Sequence, residues 1–316
     1  KLCTRINDRM VIKRREMILK EDELELEAKE CNFCRSNLNN KRKVYSAQKL
    51  PIVNYYFCNE CYVCFSNRQP KDTALEKIYS PINYTSTLTS SDDLTVKLAK
   101  RIAKQISITK NILKEIKVLD FGGGNGNLSK KISSELLKLG YESKCTVIDI
   151  HNSIQKDDNI EFINAKEINK IKNKFDLVLA SAVLEHLKSP KAILDKLIQL
   201  TEKNGFFYAR TPWEEPLAKF IPNYKLRWPR HLFDMGGDFW NKYLSGYNKN
   251  KINIIWFRPS IIETSIYNIF KFIASFVLKS IAVIELFLRN LLKKKNPSKI
   301  PYFKLVGGWE VLIQIK

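Results

Sequence analysis

Short apolar runs alternate with segments of helical period through the middle of this 316-residue chain. Residues 118–119 (VL), 146–149 (TVID), 159–164 (NIEFIN), 175–180 (FDLVLA) and 206–211 (FFYART) predict five strands. Between them, residues 128–139 carry apolar side chains at helical spacing and stop at Gly140. A second helix is predicted over 191–203, opened by Ser189-Pro190 and stopped by Asn204-Gly205. Proline suits the first helical turn because the N–H it lacks has no partner there. A third, over 91–103, precedes the first strand and starts with Ser91-Asp92-Asp93, a cap followed by acids. Strands alternating with helices predict a parallel sheet covered by helices. Residues 212–235, rich in Trp, Pro, Arg and His, predict a loop at the carboxyl edge of that sheet, where open α/β sheets bind ligands. Residues 1–30 alternate basic and acidic blocks and predict a solvated helix.

The densest chemical signal lies at residues 117–127, KVLDFGGGNGN. A strand ends in Asp120, glycines follow at 122, 123, 124 and 126, and a helix begins. Glycine permits positive φ and close approach of a ligand to the backbone, and a helix start offers unpaired N–H groups. A nucleotide-like cofactor is therefore expected here. The dinucleotide fingerprint G-x-G-x-x-G would need glycine at 127, where Asn127 stands. The glycines fit G-x-G-x-G at 122, 124 and 126, with an acid two positions earlier. This resembles motif I of the class I S-adenosylmethionine-dependent methyltransferases. FDLVLASAVLEHL and SPKAILDKLIQLTEKNGFFYARTPW look like that family's segments around strands four and five, and GGWEVLIQIK like its last, antiparallel strand.

The resemblance implies a Rossmann-like, seven-stranded α/β sheet and S-adenosyl-L-methionine as cofactor. Asp120 would orient its methionine end, with Gly122, Gly124 and Gly126 admitting it to the backbone. Asp149, ending the second strand, would hold the ribose hydroxyls. Ser181, after strand four, joins this set. The family often offers an acid to the adenine after strand three; here Asn164-Ala165-Lys166 stands, and either Asn164 substitutes or Glu167 reaches.

Four of the seven cysteines have metal spacing: Cys31-x2-Cys34, 23 residues, Cys58-x2-Cys61. Two such knuckles put four thiolates around one tetrahedral ion, a closed shell suited to a structural zinc. Residues 43–57 between them can form the strands of a zinc ribbon. Cys64 reads as a small apolar residue on the strand leaving the knuckle, and Cys145 as one packed in the second strand. Followed by SNRQP and a tyrosine at 79, this module is similar to the N-terminal zinc-binding module of bacterial sugar and natural-product methyltransferases. The expected organisation is a charged segment over 1–30, a zinc ribbon over 31–80, and a methyltransferase domain over 81–316 with a helical insertion at 261–295.

That insertion is nearly continuous in apolar residues between 261 and 292, yet Lys271, Lys279, Glu285 and Arg289 interrupt it. No uncharged run reaches the ~18 residues expected of a membrane span. One or two amphipathic helices are predicted. They suit a homodimer interface or a cap on the core, or equally attachment to an anionic membrane face.

The net charge of +21 and pI near 9.6 fit a lysine-rich codon bias, an anionic partner, or both. The first thirty residues are too charged for a signal peptide. A cytoplasmic protein, with or without peripheral contact at the inner membrane face, is expected. Lys1 in place of Met leaves the true N-terminus open.

Methyl transfer to a hydroxyl needs a group to take the acceptor's proton. Of three histidines, His151 falls near the adenosine end, His186 just past strand four, and His231 in the 212–235 loop. WPRHLFDM around His231 resembles the family's segment after strand five, which makes His231 the first candidate base and His186 the second. The leading functional expectation is O-methylation of a sugar or glycan, carried on a nucleotide or lipid phosphate, in surface polysaccharide biosynthesis. The alternatives are an RNA methyltransferase, which the basic charge and ribbon would suit, and a non-catalytic binding protein that keeps the fold.

Overall fold

The computed structural model describes residues 17–38, 42–80, 92–109, 115–150, 160–215, 227–247, 250–260 and 307–316, with isolated positions 277, 280 and 284. His151 and nearly all of the 261–295 insertion lie outside them. Among the described residues no helix is long and apolar enough to cross a membrane.

Two sheets form. The smaller contains β1 (Arg42–Gln48), β2 (Val53–Phe57), β3 (Cys64–Ser66) and β9 (Phe233–Asp234), in the order β1-β2-β3-β9 and antiparallel throughout. The larger has seven strands: β4 (Ile116–Phe121), β5 (Ser143–Asp149), β6 (Ile160–Asn164), β7 (Phe175–Ser181), β8 (Thr201–Trp213), β10 (Ile252–Pro259) and β11 (Gly307–Ile315). Their order is β10-β11-β8-β7-β4-β5-β6. β4 to β8 are parallel, and β11 runs antiparallel between β8 and β10. This is the seven-stranded α/β sheet expected. The chain leaves β4 for β5 on one side and returns to β7 on the other, so β4 and β7 form a topological switch point. The carboxyl ends of the strands at such a point are where open α/β sheets bind ligands.

The five predicted strands are β4 to β8. β8 is longer than predicted, beginning at Thr201. The helix over 191–203 is accordingly shorter: α4 runs Pro190–Leu200. Asn204, with φ +59, and Gly205 do not cap that helix; they lie inside the strand. A register irregularity against β7 between Phe175 and Leu177 accommodates them. The other helices are α1 (Asp72–Ile78), α2 (Asp92–Thr109), α3 (Asn127–Lys138) and α5 (Gly237–Ser245). α3 ends where Gly140, at φ +83, reverses the chain.

The solvated helix expected over 1–30 is not what residues 17–30 form. They run largely extended, with a single 3-10 turn at Glu21–Glu23 and an isolated bridge from Leu24 to Pro70. Leu19 and Leu24 are buried against Val53, Ala74 and Ile78, and Arg68 pairs with Glu21. An extended strap pinned by two buried leucines satisfies this sequence better than an isolated helix, whose nucleus is costly.

Two cores lie on opposite faces of the large sheet. One joins α2 and α3 to β4, β5 and β7 through Ile102, Ile106, Ile132, Leu136, Val147 and Leu177. The other is continuous from the cysteine knuckles (Cys31, Phe33, Cys58, Cys61, Phe65) through Phe233, Phe239 and Trp240 to Val178, Phe207 and Trp309. Phe33 meets Phe239 edge-on at 4.8 Å. The N-terminal module is thus packed into the same core as the larger sheet.

Candidate active site

At the switch point the glycine run adopts the backbone that only glycine holds cheaply: φ is +71 at Gly122, +57 at Gly124 and +74 at Gly126. Each glycine has its own reason. A Cβ on Gly122 would stand 2.3 Å from Val183 Cγ2, so Val183, just past β7, presses directly on the loop. A Cβ on Gly123 would stand 2.6 Å from the Asp120 carboxyl. Gly124 has nothing within 4 Å of such a Cβ and presents the open face of the loop. Gly126 leads into α3.

Two carboxylates brace this loop. Asp149, at the end of β5, accepts the Gly124 N–H at 2.9 Å. Asp120 lies beneath the loop, 1 % exposed, and accepts the Ser129 hydroxyl at 2.6 Å. It therefore anchors the first turn of α3. Burial pushes the Asp120 carboxyl up to about 6; the Ser129 hydrogen bond opposes this and Asp149 adds to it. The unfolded chain, with an ordinary value of 3.8, gives up this proton earlier. Stability therefore falls as pH rises from about 4 to about 6 and is level above, a cost of roughly 3 kcal/mol. Replacing Asp120 by Asn, which keeps an acceptor for Ser129, is expected to raise the melting temperature at pH 7.5. The gain should vanish below about pH 4. Melting curves of both proteins across that range check it.

The remaining expected cofactor residues reach the same edge. Asn164 ends β6 in register with Asp149. Ser181 ends β7 and accepts Arg210 Nε at 3.2 Å. The Glu167 side chain lies outside the described residues. Open glycine backbone at Gly124 beside the Asp149 carboxylate suits a ligand bearing a ribose, so the residues present fit a nucleoside cofactor.

Directly after Val183, the chain makes a 3-10 turn, Leu184–His186. The segment after β8 returns to this turn: Leu232 N–H donates to the Glu185 carbonyl at 2.7 Å. That contact brings His231 against His186, ring centroids 4.9 Å apart and nearly perpendicular. The two histidines singled out from sequence, 45 positions apart in the chain, thus form one pair. In the sequence Tyr79 stands out only as part of a family likeness. Its hydroxyl lies 3.0 Å from His186 Nδ1 and donates to the Arg230 carbonyl at 3.0 Å. His186 Nδ1 is itself 2.8 Å from that carbonyl. With its proton on Nδ1 the ring donates to that carbonyl, and Nε2 then lies 3.9 Å from the Glu185 carboxylate; the Ala182 carbonyl also bonds the ring. Burial holds His186 down at about 4 and His231 well below the usual imidazole range, helped in both by Arg227 and Arg230. Both rings are neutral near pH 7, with lone pairs available to a proton.

The 212–235 segment is not only a loop. Its Phe233 and Asp234 are β9, paired with Phe65 and Cys64 of the cysteine module. Tyr55 on β2 donates its hydroxyl to the His231 carbonyl, and Ser66 N–H donates to the Leu232 carbonyl. Asp234 accepts the N–H groups of Glu214 and Glu215, fixing the turn after β8. Burial drives the Asp234 carboxyl well above its ordinary value, with Glu214 beside it. A cavity for about one water lies among Tyr55, Pro212, Glu214, His231, Phe233 and Asp234. A two-residue strand in a Trp- and Pro-rich stretch carries too little periodicity to be found from sequence.

The four expected cysteines converge, all Sγ atoms within 4.8 Å of one another. Cys31 to Cys61 and Cys34 to Cys58 are each 3.7 Å. An ion bonded tetrahedrally to sulfur at ~2.3 Å would set edges of about 3.8 Å, so the cage has the right size. The sulfurs crowd one another: contact with Cys58 and burial push Cys31 up to about 12, and contact with Cys31 pushes Cys61 up. Cys64 is buried on β3, outside the cage, and Cys145 is buried in β5, as the sequence suggested.

Residues 93–248 match a family model described as a methyltransferase domain, just under half of the chain. Together with the sheet order and the glycine loop, this makes that stretch a methyltransferase domain of the class I, S-adenosylmethionine-dependent kind. A curated relative is a malonyl-acyl-carrier protein O-methyltransferase of Calditerrivibrio nitroreducens, 29% identical over 126 residues, 39% of this chain. The chain spans about half the length of that relative, 49%. Among solved structures, the plantazolicin methyltransferase BpumL in complex with SAH aligns over 77% of this chain and 93% of its own, with a TM-score of 0.50 and 14% identity. The related BamL complex aligns over 77% and 94%, at a TM-score of 0.47 and 16% identity. The BpumL likeness speaks to the fold.

Proposed function

We propose that this protein transfers a methyl group from S-adenosyl-L-methionine to a hydroxyl oxygen of a sugar or glycan. The observation that carries the reading is the pair of a half-buried His186 and a buried His231, seated directly beyond the Val183 contact with the cofactor loop. Bound S-adenosyl-L-methionine supplies an already activated methyl group, so the chain's task is to position the acceptor, exclude water and take a proton.

Gly124 and Asp149 hold the nucleoside end, and Asp120 and Ser129 keep the loop in shape from below. Val183 presses on that loop. At the acceptor end, the neutral imidazole of His231 takes the hydroxyl proton as the new C–O bond forms. His186, oriented by Tyr79 and the Arg230 carbonyl, and Glu185 offset the charge that results. The curated relative is by name an O-methyltransferase, which favours oxygen as the accepting atom. Polar side chains around the pair (Tyr79, Glu185, Arg230) suit an acceptor with several hydroxyls better than an apolar one. The cysteine cage takes a structural zinc that fixes β3, and through β9 the His231 segment.

The test is incubation of the purified chain with labelled S-adenosyl-L-methionine and a panel of nucleotide sugars, lipid-linked glycans, acyl-carrier protein and total RNA. Label on a saccharide hydroxyl is expected. Label on RNA or acyl-carrier protein alone overturns the substrate class, and no binding of S-adenosylhomocysteine by calorimetry overturns the enzyme.

A further inference from the structure

Glu185, His186 and His231 bring one oxygen and two nitrogen donors within 4.8 Å of one another, in a cluster separate from the cysteine cage. We propose that these three residues form a second metal site, selective for a borderline divalent transition ion such as Zn2+. The inference rests on the His186–His231 pair described above and adds a ligand that competes with the acceptor's proton.

The donor set is the first reason. Two imidazoles and a carboxylate suit zinc and its neighbours, and disfavour the hard ions magnesium and calcium, which take oxygen. Orientation is the second. A ligating imidazole usually donates its other ring N–H to a carbonyl or carboxylate, which fixes the ring and directs the free lone pair at the metal. His186 already has that arrangement: Nδ1 at 2.8 Å from the Arg230 carbonyl, with Nε2 toward Glu185 Oε1 at 3.9 Å. Ligand bonds of about 2.0–2.2 Å need donors roughly 3.4 Å apart, so Glu185 and Nε2 must approach by only about half an ångström. Rigidity is the third. The Glu185 carbonyl accepts Leu232 N–H at 2.7 Å, and the His231 N–H donates to the Arg227 carbonyl at 3.0 Å. The backbones that carry the ligands are therefore tied to each other. Of the two guanidinium groups that act on the rings, Arg227 is drawn to Glu214, Nε to Oε1 3.4 Å.

Three protein ligands leave a fourth position, the usual form of a zinc site that exchanges an outside ligand. A lone pair that binds Zn2+ cannot accept a proton, so occupancy opposes the proposed transfer.

Zn2+ alone is the probe. The metal-stripped chain is titrated and bound zinc counted by elemental analysis. Two equivalents per chain are expected for the wild type, and one for His231→Ala and for Glu185→Gln. Circular dichroism and S-adenosylhomocysteine binding confirm that each variant folds. His186→Gln provides an independent variant should either of the others fail to fold. Equal zinc content in the wild type and the folded variants overturns the site. The readout involves no turnover, so a chain that binds the second equivalent yet methylates no hydroxyl refutes the function and leaves the site standing. Methylation that depends on His231 with only one equivalent bound does the reverse.

Discussion

His231→Ala is expected to lower kcat for the hydroxyl acceptor by about 10²–10⁴-fold, with S-adenosylhomocysteine affinity unchanged within about threefold. The effect follows from where the ring sits. It is buried, faces His186 at 4.9 Å, and is held neutral by burial at the pH of the cell. No other imidazole stands beside the pair among the described residues. The cofactor loop is braced by Asp120 and Asp149, with Val183 pressing on it, and follows β4 rather than the segment that carries this ring. The pH profile gives a second signature. The pair must be neutral to accept a proton and is neutral above its depressed pKa. The wild-type rate should therefore already be on its plateau at pH 6, not rising through 6.5 as with a solvent-exposed histidine. Rates from pH 5 to 8 and calorimetric binding of S-adenosylhomocysteine check both parts. An unaltered kcat removes His231 from the chemistry.

Cys58→Ser is expected to remove the zinc of the cysteine cage and to lower acceptor turnover by at least about 100-fold, although Cys58 is not at the reacting atoms. Cys58 lies five residues before the end of the hairpin that leads into β3, and its N–H bonds to the Val63 carbonyl at 2.9 Å. β3 pairs with Phe233–Asp234, and Ser66 holds the Leu232 carbonyl at 3.0 Å. Opening the cage frees β3, and with it the segment that carries His231. A displacement of the order of 1 Å at a reacting group can cost about 10²-fold. The core beneath α2 and α3 contains no residue of the module, so S-adenosylhomocysteine binding should persist within about threefold. Metal content by elemental analysis, turnover and calorimetry are read on the same preparation. Loss of cofactor binding in step with turnover would show that the module supports the whole fold, contrary to this separation.

Much of the catalytic sheet is legible from local pattern. β4 to β8 are short apolar runs with polar or glycine ends, and α3 is bounded by Gly126 and Gly140. The glycine loop, Asp149 and the cysteine pairs announce themselves because their chemistry demands particular residues at short spacing. β10 and α5 were not foreseen: their apolar faces are covered by Trp309, Phe33 and other residues distant in sequence. The end of α4 was misplaced because Asn204-Gly205 reads as a helix stop, whereas the pairing of β8 with β7 and β11 overrides it.

By itself the sequence determined that a nucleoside-binding α/β domain follows a four-cysteine module, since both depend on contiguous motifs in which side-chain type and spacing carry the physics. Only the tertiary structure decided that these two parts share a sheet and a core, that Asp120 braces the loop from below, and that His186, His231, Tyr79 and Glu185 meet in one cluster. The bracing by Asp120 depends on Ser129, nine positions on, and the other facts arise from residues far apart in the chain, such as Tyr79 with the Arg230 carbonyl, 151 positions away. Chain folding brings such residues together through burial and strand pairing, and neither leaves a periodic trace in a two-residue strand or a single histidine.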